Sequence, residues 1–459
     1  MPTTQMLRLA ALIPMTAAMA ACLDLSGPGL DSNPNSPSKA TANQLLASVQ
    51  GFGMAQLTGD YNRLASVYVQ HMAGAGRQWL TLDAPYLNDE GSFGTWNGYY
   101  TGGGLIDIRG LQSQARTAGD RVYLGIGQVL EALFVGTLAD FWGDIPYREA
   151  LGGSTTPRLD PQLQVYGDIQ VLLDSAIANL SSGTGAGPGA VDLIYGGDAS
   201  SWRRAANTLK ARYFLHAART RNGDYALAAA AAAQGIQSSA GDLRTYQSAN
   251  VGEENQWFQF RRGRGTDIAA GQFIVNLMQG RGDPRLTQYF GPSGQGPIRG
   301  VPPNTEDETA SWLSATRGAA GFRQPLVTWA ENQLILAEAQ VRSGSGTPLA
   351  LLNAVRTAAG YTTPLTGLTG NALLEEILLE KYIALFQNPE AWSDYRRTCI
   401  PNLQLFNGAV RVPTRFIYGA DERQTNSNVP SPNAVPRYMT AFPRNTTTPT
   451  GAVCAGQQP

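Results

Sequence analysis

The pattern of apolar and polar positions along the chain is mostly that of amphipathic helices. In RVYLGIGQVLEALFVGTLADFWG the apolar residues recur at the spacing that places them on one helix face. They include Val122, Ile126, Val129, Leu130 and Leu133. ANQLLASVQGFGMAQL predicts one further helix, after a Ser/Lys/Thr turn. We therefore expect a mainly α fold with few short strands.

Two long segments repeat a plan of helix, turn and helix. In DASSWRRAANTLKARYFLHAARTRNGDYALAAAAAAQGI the turn is Asn222-Gly223. In ENQLILAEAQVRSGSGTPLALLNAVRTAAG the turn contains Gly344, and Pro348 stands near the start of the next helix. PQLQVYGDIQVLLDSAIANL and ALLEEILLEKYIALF predict more helices. Hairpins that recur in this way predict tetratricopeptide-like units.

Long glycine-rich stretches interrupt the helical pattern, notably residues 239–268 and 281–325. We expect loops there, with a few short hairpins. Loops of such length in a compact domain are usually functional or poorly ordered, and binding surfaces often lie on them. The pattern therefore predicts helical hairpins that support a loop-rich ligand face.

The N-terminus has the features of an export signal. The apolar stretch LAALIPMTAAMAA follows Arg8 and is too short for a bilayer core of about 30 Å, so residues 1–21 are predicted to be a signal peptide. The small residues before Cys22 resemble a bacterial lipobox, although Met19 stands where Leu is usual. Residues 22–42 would then be a lipidated cysteine and flexible tether, and residues 43–459 one helical domain. Ordinary signal cleavage, with Cys22 an incidental thiol, is the alternative.

Charge and cysteine content narrow the possible partners and compartment. The formal net charge of −1 gives no basic field for nucleic acid. If Cys22 is lipidated, Cys399 and Cys454 remain as an even pair in an oxidising compartment, where they form a possible disulfide. Two unpaired thiols are the alternative.

The chemistry-bearing residues give little support for catalysis. Only His71 and His216 are present, which disfavours histidine triads and multi-histidine metal sites, and we predict no metal and no cofactor. His216 lies within a predicted helix, where a packing role is favoured. Asp140 and Asp144 in DFWGDIPYREAL could still be the two carboxylates of a glycosidase.

We interpret DFWGDIPYREAL as a structural corner instead. Gly143 can adopt the positive φ that ends a helix. Pro146 prevents helical continuation and restricts Ile145 to extended geometry. An aspartate in such a turn commonly accepts hydrogen bonds from backbone N–H groups.

The same twelve residues resemble the signature of the SusD/RagB family of outer-membrane nutrient-binding lipoproteins. Further segments resemble the family in the same order, between about residues 33 and 430. They are SNPNSPSKATANQLL, the pair Trp96 and Tyr100, DLIYGGDASSWRRAANTLKARYFLHAA, GDPRL, LLNAVRTAAG, LLEEILLEKYIALFQNPEAWSDYRRTCIP and VPTRFIYGADERQTNSN. The sequence departs from the family at Gln387-Asn388-Pro389, where many members have Glu-Gly-x-Arg, so we place it in a divergent branch.

The resemblance implies a binding protein, not an enzyme. Family members have tetratricopeptide hairpins that support a loop-rich face, lie on the outside of the outer membrane and cover a SusC-like TonB-dependent barrel. They capture glycans or oligopeptides for import. We expect the same partners, location and lipid anchor here. An exported tetratricopeptide adaptor for envelope assembly and a glycoside hydrolase are the alternatives.

A glycan binder needs exposed aromatic platforms and planar hydrogen-bond donors, because a sugar ring has an apolar face and a rim of hydroxyls. Aromatics within polar stretches supply the candidates. These are Arg77, Trp79, Asp83, Tyr86 and Asn88 in GRQWLTLDAPYLNDE, and Trp257, Phe258, Arg261 and Arg262 in ENQWFQFRRGRG. Aromatics folded back onto the helices are the alternative for each. With a peptide ligand, Arg261 and Arg262 would bind carboxylates. Trp96, Tyr100, Trp202 and Trp392 are assigned to packing.

Overall fold

A computed structural model describes residues 40–82, 96–294, 296–403, 412–413 and 415–430. The described chain is mainly helical and contains two small two-stranded sheets, which confirms the predicted fold class. The predicted signal peptide, Cys22 and most of the predicted tether lie outside the described residues.

The helix predicted in ANQLLASVQGFGMAQL is interrupted. The segment forms α1 (Ala42–Ser48), a π-helical turn (Val49–Gly53) and α2 (Met54–Thr58), and α3 (Asp60–Tyr68) follows. A Cβ at Gly53 would lie 2.0 Å from the carbonyl oxygen of Gly103. Two backbones meet at this glycine, and periodicity alone gave no sign of the contact.

Antiparallel hairpins form the body of the fold, which we call the helical stack. Its first part packs in chain order, each helix against the next. These helices are α5 (Leu105–Ala118), α6 (Arg121–Trp142), α7 (Gln162–Leu180), α8 (Ala199–Ala217) and α9 (Asp224–Ala232).

The second part of the helical stack joins the first through α13, which packs on both α8 and α9. Gly344, at φ 63°, ends α13, and Pro348 begins α14. Both predicted hairpins are therefore confirmed. The helices are α13 (Trp329–Ser343), α14 (Pro348–Ala358), α15 (Gly370–Ala384) and α16 (Glu390–Thr398).

The stretches predicted as loops contain more regular structure than expected. Strand β1 pairs antiparallel with β3, and β2 pairs antiparallel with β4. Residues 239–268 and 281–325 were predicted to be loops with a few short hairpins, but they also contain helices: α10 lies in the first stretch and α12 in the second. The elements are β1 (Met72–Gly74), α4 (Trp79–Leu82), β2 (Leu243–Arg244), α10 (Gln256–Arg264), β3 (Ile268–Ala270), α11 (Gln272–Gly280), α12 (Leu286–Tyr289), β4 (Pro325–Val327) and α17 (Ala420–Thr425).

Helix α6 runs through the core. Within the described residues it alone is long and apolar enough to cross a bilayer, but 94% of its most apolar window is buried. A Cβ at Gly136 would lie 2.1 Å from the hydroxyl oxygen of Tyr213. This glycine lets α8 place a tyrosine ring directly against α6, as expected where packed helices carry small residues.

Aromatic rings hold the end of α6 in place. The ring of Trp142 meets those of Trp96 and Tyr61 edge-on, at 4.7 Å in each case. Trp392 and Trp202 are fully buried. The Tyr100 hydroxyl donates to the carbonyl oxygen of Pro146 at 3.0 Å. The predicted packing roles of Trp96, Tyr100, Trp202 and Trp392 are confirmed.

Candidate functional site

The turn DFWGDIPYREAL is a corner between two helices. Gly143, at φ 81°, ends α6. The Asp144 carboxylate then accepts from the backbone N–H of Gln162 at 2.9 Å, where α7 begins. Ile145 pairs with Asp160 in an isolated antiparallel bridge. Each part of the turn supports the chain path between α6 and α7, so the predicted corner is confirmed.

Asp140 belongs to a buried charge cluster. Its Oδ1 accepts from the Tyr166 hydroxyl at 2.6 Å and lies 2.9 Å from Nδ1 of His216. Nε2 of His216 lies 2.7 Å from Oε1 of Glu390. Burial by itself lowers the pKa of His216, but the two carboxylates outweigh it and raise that pKa to about 9. His216 therefore carries a positive charge at neutral pH and holds α6, α8 and α16 together.

Asp140, His216 and Glu390 bring three potential metal-ligating atoms within 4.8 Å of one another. A metal ligand requires an imidazole nitrogen with a free lone pair. Both ring nitrogens of His216 lie at hydrogen-bond distance from a carboxylate, and the raised pKa keeps both protonated. The three side chains form a buried ion-pair cluster in which His216 lies between two carboxylates. Asp140 is buried within this cluster, and Asp144 holds the start of α7. Both carboxylates therefore have structural roles, which give no support to the glycosidase alternative.

Other buried charges of the helical stack are paired in the same way. Nε of Arg212 lies 2.6 Å from Oε1 of Glu331. Nη1 of Arg397 lies 2.6 Å from Oε1 of Glu338, with both side chains fully buried. Removing one partner from such a pair leaves a buried charge without compensation. These arginines thus join helices and do not face a ligand.

The two stretches predicted to meet ligand are adjacent in space. Nε of Arg77 lies 2.5 Å from Oδ1 of Asp267, and a second Arg77 nitrogen donates to the carbonyl oxygen of Arg264. The ring of Trp79 meets that of Phe260 edge-on at 5.4 Å. Residues 77–79 therefore pack against α10 and the turn that follows it.

The sequence ENQWFQFRRGRG forms a helix where the prediction placed a loop. The Asn255 side chain accepts from the backbone N–H of Trp257 at 2.8 Å and caps the start of α10. Gly265, at φ 60°, follows its end. Trp257 and Phe260 are buried at a spacing of three residues, which is the signal of a helix face that was overlooked.

The outer face of α10 carries the remaining candidates. Phe258 is half-buried, and the Arg262 guanidinium lies 5.5 Å above its ring. The Arg262 side chain is 54% exposed and also forms an ion pair with Glu254. The Arg77 side chain is 62% exposed. Phe258, Arg262 and Arg77 are therefore accessible candidates.

Not every candidate is accessible. Trp79 and Trp257 are buried, so their predicted role as exposed platforms has no support from their positions. Asp83, Tyr86 and Asn88 lie outside the described residues, and their ligand role stays a prediction. Cys399 is disulfide-bonded, whereas Cys22 and Cys454 lie outside the described residues. The pairing of Cys399 with Cys454 also stays a prediction.

Sequence reasoning missed Trp312. Its half-buried ring lies 6.0 Å from that of Trp257, and the Arg261 guanidinium lies 5.1 Å above it. The criterion of an aromatic in a polar stretch would have selected it, because Trp312 stands in ETASWLSATRG. We call the outer face of α10, together with Arg77 and Trp312, the α10 rim.

The fold defines a class of helical proteins, in which a stack of helical hairpins carries a rim of aromatic rings and guanidinium groups. The chain belongs to the SusD-like family, because the family profile described as "Starch-binding associating with outer membrane" matches residues 34–419. This confirms the resemblance seen in the sequence. No curated protein matches the sequence significantly.

Solved structures share the fold. A SusD/RagB family protein from Bacteroides thetaiotaomicron is 22% identical with a TM-score of 0.70, and the match covers 85% of this chain and 95% of the other. A chitin-binding SusD homologue from Flavobacterium johnsoniae is 20% identical with a TM-score of 0.72, covering 84% and 94%. At these identities the likeness establishes the architecture alone.

Proposed function

We propose that this protein is a cell-surface lipoprotein that captures glycan and delivers it to a SusC-like TonB-dependent transporter of the outer membrane. Membership of a family described as starch-binding and associated with the outer membrane supports glycan as the ligand. The observation that carries the proposal is the α10 rim, where partly exposed aromatic rings and guanidinium groups lie side by side.

The α10 rim has the chemistry that sugar recognition requires. Trp312 and Phe258 offer apolar ring surface for the CH face of a sugar. The arginines beside them, Arg261 and Arg262, offer planar N–H donors for its hydroxyls and are held over the rings at 5.1 and 5.5 Å. An arginine held on an aromatic ring loses less side-chain freedom when it binds. An oligopeptide could use the same groups, with the arginines binding its carboxylates.

Affinity electrophoresis in gels that contain a polysaccharide tests the ligand class. Soluble starch and chitin oligomers are the first probes, given the family description and the chitin-binding homologue. We expect Trp312→Ala to lower the affinity for the retained glycan about tenfold, as an aromatic anchor worth about 1–2 kcal/mol would.

A matched control exists on the helical stack. Phe214 is half-buried on α8, and the Lys210 ammonium lies 5.6 Å above its ring. Phe214 and Lys210 thus form a pair of ring and cation like those of the α10 rim, but at a different place on the protein. Phe214→Ala should leave retention unchanged. Equal loss in both variants, or no retention by any glycan, contradicts the proposal.

The anchor is tested separately at Cys22. We expect Cys22→Ala to move the protein from the membrane fraction to the soluble fraction, because a lipobox cysteine carries the acyl chains. A variant that stays membrane-bound on fractionation contradicts lipid anchoring. Surface proteolysis of intact cells tests orientation: rapid loss supports an exterior position, whereas protection supports a periplasmic adaptor.

The barrel partner is tested by co-purification. Detergent-solubilised outer membrane, purified through this chain and analysed by mass spectrometry, should contain a TonB-dependent barrel. We propose that the helical stack contacts the barrel and that the α10 rim faces the medium. A pull-down with envelope assembly factors and no barrel would favour the adaptor alternative.

A further inference from the structure

Arg261 is a half-buried arginine with no carboxylate partner among the described residues. It is half-buried on α10, its guanidinium lies 5.1 Å from the ring centre of Trp312, and its Nη1 donates to the carbonyl oxygen of Gly265 at 2.8 Å. Burial lowers the pKa of Arg261. Within the described part of the chain, no carboxylate lies at salt-bridge distance from it. The guanidinium is thus partly dehydrated without an ion pair of the kind that Arg212 and Arg397 of the helical stack form.

Arg264 adds a second cation on the same helix. It is exposed, and no carboxylate of the described residues contacts its side chain. Its carbonyl oxygen accepts from Arg77, whose guanidinium is itself paired with the carboxylate of Asp267. Arg262 is likewise paired with Glu254, so Arg261 and Arg264 are the two arginines of the rim that no described carboxylate compensates.

The helix dipole explains in part why arginines occur in the last turn of α10. Cations in the last turn interact favourably with the helix dipole, by about 0.3–1 kcal/mol at exposed positions. That effect requires only exposed side chains, and it accounts for Arg264. It leaves unexplained why Arg261 is half-buried against Trp312 and fixed by Gly265. A positioned guanidinium beside an aromatic platform is instead the arrangement that binds an anionic oxygen group.

We propose that the α10 rim takes an acidic glycan, in which a carboxylate or sulfate group contacts Arg261 while the sugar ring stacks on Trp312. Arg264 lies one turn further along α10 and raises the positive potential of this site. The proposal rests on glycan capture as the function and adds the charge class of the glycan. Uronate and sulfate ester share the required chemistry, and the test separates them.

A glycan array with neutral, uronate-bearing and sulfated glycans tests the charge class, with acidic peptides as a further arm. We expect the protein to bind uronate-bearing glycans, sulfated glycans or both. For a retained acidic glycan, Arg261→Gln should lower affinity about tenfold or more, as loss of a charge-assisted hydrogen bond does. Arg264→Gln should lower it less, and raising the salt concentration should weaken binding.

Arg204→Gln is the matched control, because Arg204 is an exposed arginine of α8 on the helical stack. It should leave affinity unchanged, and circular dichroism of all three variants checks folding. Retention of neutral glycans only would overturn the acidic-glycan proposal and leave glycan capture standing. Retention of acidic peptides only, or of nothing, would overturn both proposals.

Discussion

The helical stack and the α10 rim differ in how completely carboxylates compensate their cationic side chains. In the stack, buried Arg212 and Arg397 each meet a carboxylate at 2.6 Å, and His216 lies between two. On the rim, Arg77 and Arg262 are ion-paired, whereas Arg261 and Arg264 have no carboxylate partner among the described residues. The Arg261 guanidinium lies over the ring of Trp312 instead. The fold itself thus compensates these charges of the stack, and the two arginines of the rim without a described carboxylate are the ones that we propose for ligand binding.

The comparison also separates two kinds of aromatic residue. Around Trp142, rings meet other rings and are fully enclosed. On the rim, Phe258 and Trp312 keep part of their surface accessible and lie beneath guanidinium groups. Burial, and not residue type, distinguishes the packing aromatics from the candidate platforms.

Breaking the buried cluster should give the largest loss of stability. His216→Leu removes the cation between Asp140 and Glu390 and leaves two buried carboxylates facing an apolar side chain. We expect the free energy of unfolding to fall by about 3–5 kcal/mol. Urea denaturation followed by circular dichroism measures it.

The rim supplies the control for this experiment. Arg264 is exposed, so Arg264→Gln should change the free energy of unfolding by no more than about 0.5 kcal/mol. If both variants lost a similar free energy of unfolding, the proposed difference between the buried charges of the stack and the exposed charges of the rim would be contradicted.

The pH dependence of stability tests the charge on His216. Its pKa is raised from 6.5 to about 9 in the folded chain by Asp140 and Glu390, against the opposing effect of burial. The stabilisation is therefore fully present below pH 6.5 and is lost as the pH rises through 9. We expect a loss of about 3 kcal/mol across that window, since each pKa unit corresponds to about 1.4 kcal/mol. Urea midpoints that stay constant from pH 6 to 10 would contradict a protonated His216.

The other histidine acts in a different pH window. Burial lowers the pKa of His71 from 6.5 to about 3, so its contribution is present above pH 6.5 and is lost as the pH falls towards 3. His71→Gln should consequently leave the alkaline loss of stability in place. If the alkaline loss of stability disappeared in this variant, His71 and not His216 would be responsible for it.

Two glycines give a smaller test of the same contrast. Gly136→Ala places a methyl group against Tyr213 inside the stack, and overpacking of this kind costs about 1–3 kcal/mol. A Cβ at Gly263 on α10 meets nothing within 4 Å. Gly263→Ala should therefore stabilise the chain by up to about 1 kcal/mol through helix propensity. Thermal melts of both variants measure the difference.

The sequence allowed prediction of the helical stack because its signals are local. Helical spacing defined α6, and the turns at Gly223 and Gly344 marked the two hairpins. The close contacts at Gly53 and Gly136 depend on segments far apart in the chain, so they could not be foreseen.

The candidate site was predicted less completely. Arg77 and Phe258 are accessible on the rim, and their ligand role stays a prediction. Trp79 and Trp257 are buried, because their rings pack on Phe260 and Trp312. Polar neighbours in the sequence do not reveal which side of a short helix faces the core. The pairing of Arg212 with Glu331, and the absence of a described carboxylate partner at Arg261, depend on the tertiary fold alone.

Hydrogen–deuterium exchange with and without a retained glycan tests the central claim most directly. The account predicts that added glycan slows exchange in peptides covering residues 256–264 and 311–323, with exchange in α7 and α9 unchanged. Protection confined to the helical stack, with none at the α10 rim, would contradict it.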